Sequence, residues 1–151
     1  MSGKFSDFEV NVKYMEKDPA SSTVSVAIQV ASIDTGIAKR DAHLQTPEFF
    51  DAKTHPAITF KSKKVVAKGD KLLVTGEFRM HGVAREITLE ATVKRTVVPG
   101  ANKPVLFISF DTSLNRLDFG VGGTAEDKNK ATNAMLGAEI KVHVAVWCFL
   151  P

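Results

Sequence analysis

The sequence predicts an all-β protein, antiparallel throughout, folding as one domain over residues 1–151. Three observations predict it. Apolar residues recur at every second position through most of the chain, short turn-rich breaks separate these runs, and two segments alone interrupt the rhythm. At 151 residues the chain is long enough to bury a core without disulfides, and its single cysteine, Cys148, allows no intrachain bridge.

The elements follow in order. Phe5–Tyr14 reads as the first strand. "TVSVAIQVASI" (Thr23–Ile33) sets Val24, Val26, Ile28 and Val30 against Ser25, Ala27 and Gln29. Ile58–Ala67 and Lys71–Met80 flank "AKGDK", whose Gly69-Asp70 marks a tight reversal. "REITLEATVKRTVV" (Arg85–Val98) places Ile87, Leu89, Ala91 and Val93 opposite Glu86, Thr88, Glu90 and Lys94. Val105–Leu114 and "AEIKVHVAVWCFL" (Ala138–Leu150) complete the set, the latter with Ile140, Val142, Val144 and Val146 on one face. Each run is a half-buried antiparallel strand. Gly82 in "HGVAR" sits where a positive φ is wanted, and Pro99 and Pro104 fall between strands rather than inside them.

The first interruption is "TPEFFD": Thr46 as N-cap, Pro47 at the first helical position and Glu48 in the first turn predict a short helix. The second, "GVGGTAEDKNKATNAMLG", is too rich in glycine for a strand and reads as a loop with one helical turn around Lys130–Met135. Strands of this kind close either as a two-sheet sandwich or as a barrel. Bulky Phe60, Phe78, Met80 and Phe110 beside small Gly76 and Ala91 lean toward a lumen.

Composition excludes several functions. Net charge is +3 and the sequence pI about 9.0, but basic residues are interspersed with acidic ones, and Lys61, Lys63 and Lys64 fit a solvated strand face better than a nucleic-acid surface. No apolar run approaches the length that spans a bilayer as a helix, so no membrane insertion is expected. "MSGKFSDFEV" lacks the apolar segment of a signal peptide. The four histidines (His43, His55, His81, His143) are scattered and lack ligand spacing, so neither a metal nor a cofactor is expected.

Four motifs then occur in order. Two lie in "ASIDTGIAKRDAHLQTPEFFDAKTHPAITFKSKKV", and "VTGEFRMHGVAREITLEATV" and "SLNRLDFGVG" follow; together they resemble the YceI-like family, over roughly Gly3 to Val146. The resemblance implies a lipocalin-like antiparallel β-barrel with a short helix between strands, binding a long-chain isoprenoid such as a polyprenyl phosphate or isoprenoid quinone. It implies a periplasmic or secreted setting, with a cytoplasmic one as the alternative. Relative to the family, a first strand and small helix ahead of "GKFSDF" are expected to be missing, leaving an open seam, and the apolar tail "VAVWCFLP" departs from its pattern. Seam and tail together lead us to expect a homodimer, with Trp147, Phe149 and Leu150 offering apolar area to a second copy.

The expected tunnel lining is Val26, Ile28 and Val30; Ile58 and Phe60; Phe78 and Met80; Ile87 and Leu89; Ile108 and Phe110; and Val142 and Val144. Phe49 and Phe50 are expected as a lid over the barrel mouth. Arg40, His43, Arg79 and Arg116 are the candidates for contact with a polar headgroup. An enzyme reading rests on Asp41, His43 and His81, since a histidine beside a carboxylate is the ingredient of base catalysis. No nucleophile in an elbow motif and no phosphate-cradling glycine loop accompanies them. Arg40 and Asp41 read as a structural pair, His81 as a turn residue bonding a carbonyl, and Arg116 with Asp118 as pinning the start of the glycine-rich loop. The function expected is therefore non-catalytic lipid binding, the alternative being a β-sandwich interaction domain without a cavity.

Overall fold

The computed structural model describes residues 2–97, 99–100, 103–122 and 139–149. The expected helical turn at Lys130–Met135, the side chain of Phe149 and Leu150 lie outside the described residues. The alternating runs become strands β1 (Lys4–Phe5), β2 (Phe8–Lys13), β3 (Thr23–Gln29), β4 (Ile33–Asp34), β5 (Ala57–Lys68), β6 (Lys71–Met80), β7 (Val83–Thr96), β8 (Val105–Asn115) and β9 (Glu139–Phe149). Helix α1 (Ala38–Leu44) lies between β4 and β5. Seven strands form one antiparallel sheet in the order β2-β3-β5-β6-β7-β8-β9, and β1 pairs only with β4.

The sheet curls on itself. Val12, Tyr14 and Val24, from one side of it, share a small void of about 10 Å³ with Val93, Ile108 and Phe110 from the other. Glu16 likewise meets Arg95 at 2.6 Å across the same gap. Among the described residues β2 and β9 are not paired with each other, so the sheet is a partly closed barrel with two edge strands. A two-sheet sandwich is not what the strands build.

Inward side chains make the core, and all of the predicted tunnel residues belong to it. Val30, Phe49, Ile58, Phe60, Phe78, Met80, Leu89, Ile108 and Phe110 are buried, with Val26, Ile28, Phe50, Ile87, Val142 and Val144 packed against them. Burying a side chain of this size contributes about 1.5–3 kcal/mol, so the concave face dominates stability. Outward, Lys61, Lys63 and Lys64 are exposed as expected. Trp147 is 58% exposed on the convex face and stacks on Phe107, its partner across β8 and β9, with ring centroids 4.8 Å apart.

Three departures from simple alternation have local causes. The first expected strand splits after Phe5, because Ser6 N–H donates to the Ser32 carbonyl and the Asp7 carbonyl accepts from Gln29 N–H. The third run leaves the sheet at Gln29 and turns through a 3₁₀ segment, Val30–Ser32, whose first N–H donates to the Pro56 carbonyl. In β5 a bulge between Ser62 and Lys64 shifts the register, so Val65 is buried at 3% and Val66, which strict period two would turn inward, is 40% exposed.

The helix lies earlier than Thr46–Asp51. Asp41 accepts from the Thr35 N–H and hydroxyl, fixing the chain as it enters "AKRDAHL", whose residues favour helix. Thr46 does not cap a following helix. Its hydroxyl donates to the His43 carbonyl at 2.6 Å, closing α1 at its end. Phe50 N–H then donates to the Leu44 carbonyl and Asp51 N–H to that of Thr46, folding "TPEFFD" into turns.

Candidate functional site

Turns at one end of the barrel, rather than the strand centres, enclose a sizeable space. It is an open-mouthed cavity of about 580 Å³. Phe5 and Ile33, paired across β1 and β4, form one wall; Leu44, Phe49 and Phe50 form a second; Ile140 at the start of β9 and Val121 supply a third. The Phe5 and Phe50 rings meet edge to face at 6.3 Å. Phe49 is 3% exposed beneath the His43 ring, whose centroid lies 4.9 Å away.

Arg116 brings positive charge to this apolar wall. It follows β8 in a 3₁₀ turn, Arg116–Phe119, capped by the Asn115 side chain accepting from Leu117 N–H. Although 4% exposed, its guanidinium donates to the Val121 carbonyl at 2.7 Å and the Gly122 carbonyl at 3.3 Å. Burial lowers its pKa below the ordinary guanidinium value, yet a guanidinium stays charged at neutral pH. Gly122, at φ 72°, lets the backbone come this close: a Cβ there would fall 2.5 Å from the guanidinium and 3.0 Å from the Phe49 ring.

Of the predicted site residues, Phe49, Phe50 and Arg116 border the cavity. The remaining tunnel candidates belong to the core cluster, and a void of about 10 Å³ lies beside Ile108 and Phe110.

The other headgroup candidates point elsewhere. Arg40 donates to the Thr35 hydroxyl and carbonyl, joining Asp41 on the same residue. His43 pairs with Glu48 at 3.0 Å, and Arg79 lies 55% exposed beside Glu77 on the outer face. Asp41 and His43 thus have different partners and form no catalytic dyad. His81 does bond a carbonyl, that of Phe119, at 3.0 Å.

Alternation alone missed Phe5, Ile33, Leu44 and Val121 as cavity walls. Phe5 and Ile33 pair across β1 and β4, a contact that no local pattern signals. The histidines are also less scattered than their spacing implies: the fold brings His55, His81 and Asp51 together.

The YceI-like domain matches this chain over residues 1–147. The chain belongs to the YceI-like family. This YceI-like chain is 40% identical over 89 residues to protein YceI of Escherichia coli O157:H7, covering 59% of this chain and 47% of that protein. It thus spans about half the length of the curated relatives it matches. Campylobacter jejuni YCEI protein, at 25% identity, superposes with a TM-score of 0.83 over 99% of this chain and 85% of that one. A polyisoprenoid binding domain from Saccharophagus degradans shares the fold at 16% identity, with a TM-score of 0.65 over 99% and 85% of the two chains.

Proposed function

We propose that this YceI-like domain binds a long-chain isoprenoid, such as a polyprenyl phosphate or an isoprenoid quinone, and sequesters or carries it without chemical change. The open cavity of about 580 Å³ carries this reading, with apolar walls at Phe5, Ile33, Phe49 and Phe50 and with Arg116, Lys4, Glu139 and Lys141 also at its border. Its volume falls in the range of about 300–1,000 Å³ that encloses small organic ligands. The S. degradans polyisoprenoid binding domain supports it by sharing the fold.

The polar head sits near Arg116 and the first isoprene units lie against Phe5, Ile33, Phe49 and Phe50. Each Å² of apolar surface removed from water contributes about 25 cal/mol, so the tail supplies most of the affinity and the cation orients the head. Organic extraction and native mass spectrometry of purified protein test the proposal. The expected result is a stoichiometric long-chain isoprenoid. Ligand-free protein that also fails to take up added polyprenyl phosphate and ubiquinone sinks it.

We propose further that the protein is a homodimer. Among the described residues, edge strands β2 and β9 each pair on one side only, and Phe8 and Trp147 on them are 47% and 58% exposed. Light scattering at micromolar concentration is expected to give twice the chain mass. A monomer mass refutes it.

A further inference from the structure

We propose that Asp51, His55 and His81 form a binding site for a transition-metal dication of the zinc class. Each residue offers one donor atom, and the three atoms lie within 4.8 Å of one another at half-buried positions. Small side-chain rotations bring them to the spacing of about 3.4 Å that an ion bound about 2.1 Å from each donor imposes.

The tautomer of His81 suits ligation. Its Nδ1 lies 3.0 Å from the Phe119 carbonyl oxygen, an atom that only accepts, so Nδ1 carries the proton. In the neutral ring this tautomer leaves the lone pair on Nε2. A backbone carbonyl holding the far ring nitrogen is the usual support of a metal-bound imidazole. Among the described residues, neither the Asp51 carboxylate nor the His55 ring makes a hydrogen bond. The His55 and His81 rings meet edge to face with centroids 5.0 Å apart.

The backbone is bent to hold this arrangement. Asp51 at φ 48° and His81 at φ 54° are the two non-glycine residues with positive φ among those described. Such conformations cost about 1–3 kcal/mol each and gather at functional sites. Gly82 makes the room: a Cβ there would fall 2.7 Å from His55 Cε1.

Two imidazoles and one carboxylate leave coordination positions for water and select zinc-like ions over calcium or magnesium, which prefer all-oxygen shells. Ligation ties the turn after Phe49 and Phe50 to the β6–β7 reversal. It is independent of isoprenoid binding. The other histidines form two-residue surface pairs, His43 with Glu48 and His143 with Asp111.

The test is calorimetric titration of Zn²⁺ into the untagged, metal-stripped chain. One ion per chain is expected. His55→Ala and Asp51→Asn should each weaken it about 100-fold or more, whereas His143→Ala leaves it unchanged. NMR of the unmodified protein gives a second reading that needs no variant to fold: Zn²⁺ should shift the ring signals of His55 and His81. Absence of Zn²⁺ binding, affinity unchanged in His55→Ala, or ring shifts confined to His43 and His143 overturns the proposal.

Discussion

Phe50→Asp is expected to weaken isoprenoid binding about 30-fold, while Phe50→Leu stays within about threefold of the unaltered protein. Phe50 borders the cavity and is only half-buried, packed edge to face on Phe5. A carboxylate on this wall loses its water when an apolar chain lies against it. An uncompensated polar group costs about 2 kcal/mol, which is about 30-fold in affinity. Leucine keeps the surface apolar. Titration with a fluorescent polyprenyl phosphate measures both variants, and thermal unfolding separates lost binding from lost fold. Undiminished binding by a folded Phe50→Asp protein would place the ligand elsewhere.

Gly76→Ala is expected to destabilise the protein by about 3 kcal/mol, the upper end for overpacking a core. A Cβ at this buried position of β6 would sit 2.2 Å from the Lys61 carbonyl oxygen and 2.8 Å from the Phe60 ring. The Phe60 ring can shift; the carbonyl cannot. It belongs to β5 where the strand bulges just beyond Ser62, the residue paired with Gly76. Ser62 in turn accepts from Val24 N–H, so moving β5 disturbs β3 as well. Urea unfolding measures the change. A loss below about 0.5 kcal/mol, the scale of surface substitutions, would show that the bulge relaxes freely.

The inward faces were legible because period two is a local property. Val26, Ile28, Phe60, Phe78 and Ile108 reach the core by alternation and need no knowledge of their partners. Where a neighbouring strand or turn intervened, alternation failed. The bulge reversed Val65 and Val66, and hydrogen bonds to Ser32 and Gln29 broke the first run after Phe5. "TPEFFD" carries the residues of a helix start, yet the Thr46 hydroxyl was drawn to the His43 carbonyl once α1 had formed ahead of it.

The candidate site divides the same way. Phe49, Phe50 and Arg116 could be named from motif context, but Phe5, Ile33 and Ile140 join them only because the sheet curls and brings the chain's two ends to one cavity. His55 and His81 are 26 positions apart by their numbers and meet across a turn and a hairpin. The sequence by itself determined the strands, their inward faces and the YceI-like family, since these rest on short-range pattern and motif order. The tertiary structure decided which side chains border the open cavity and which loop residues meet. Those depend on side chains packing from opposite sides of the curl, which no local pattern encodes.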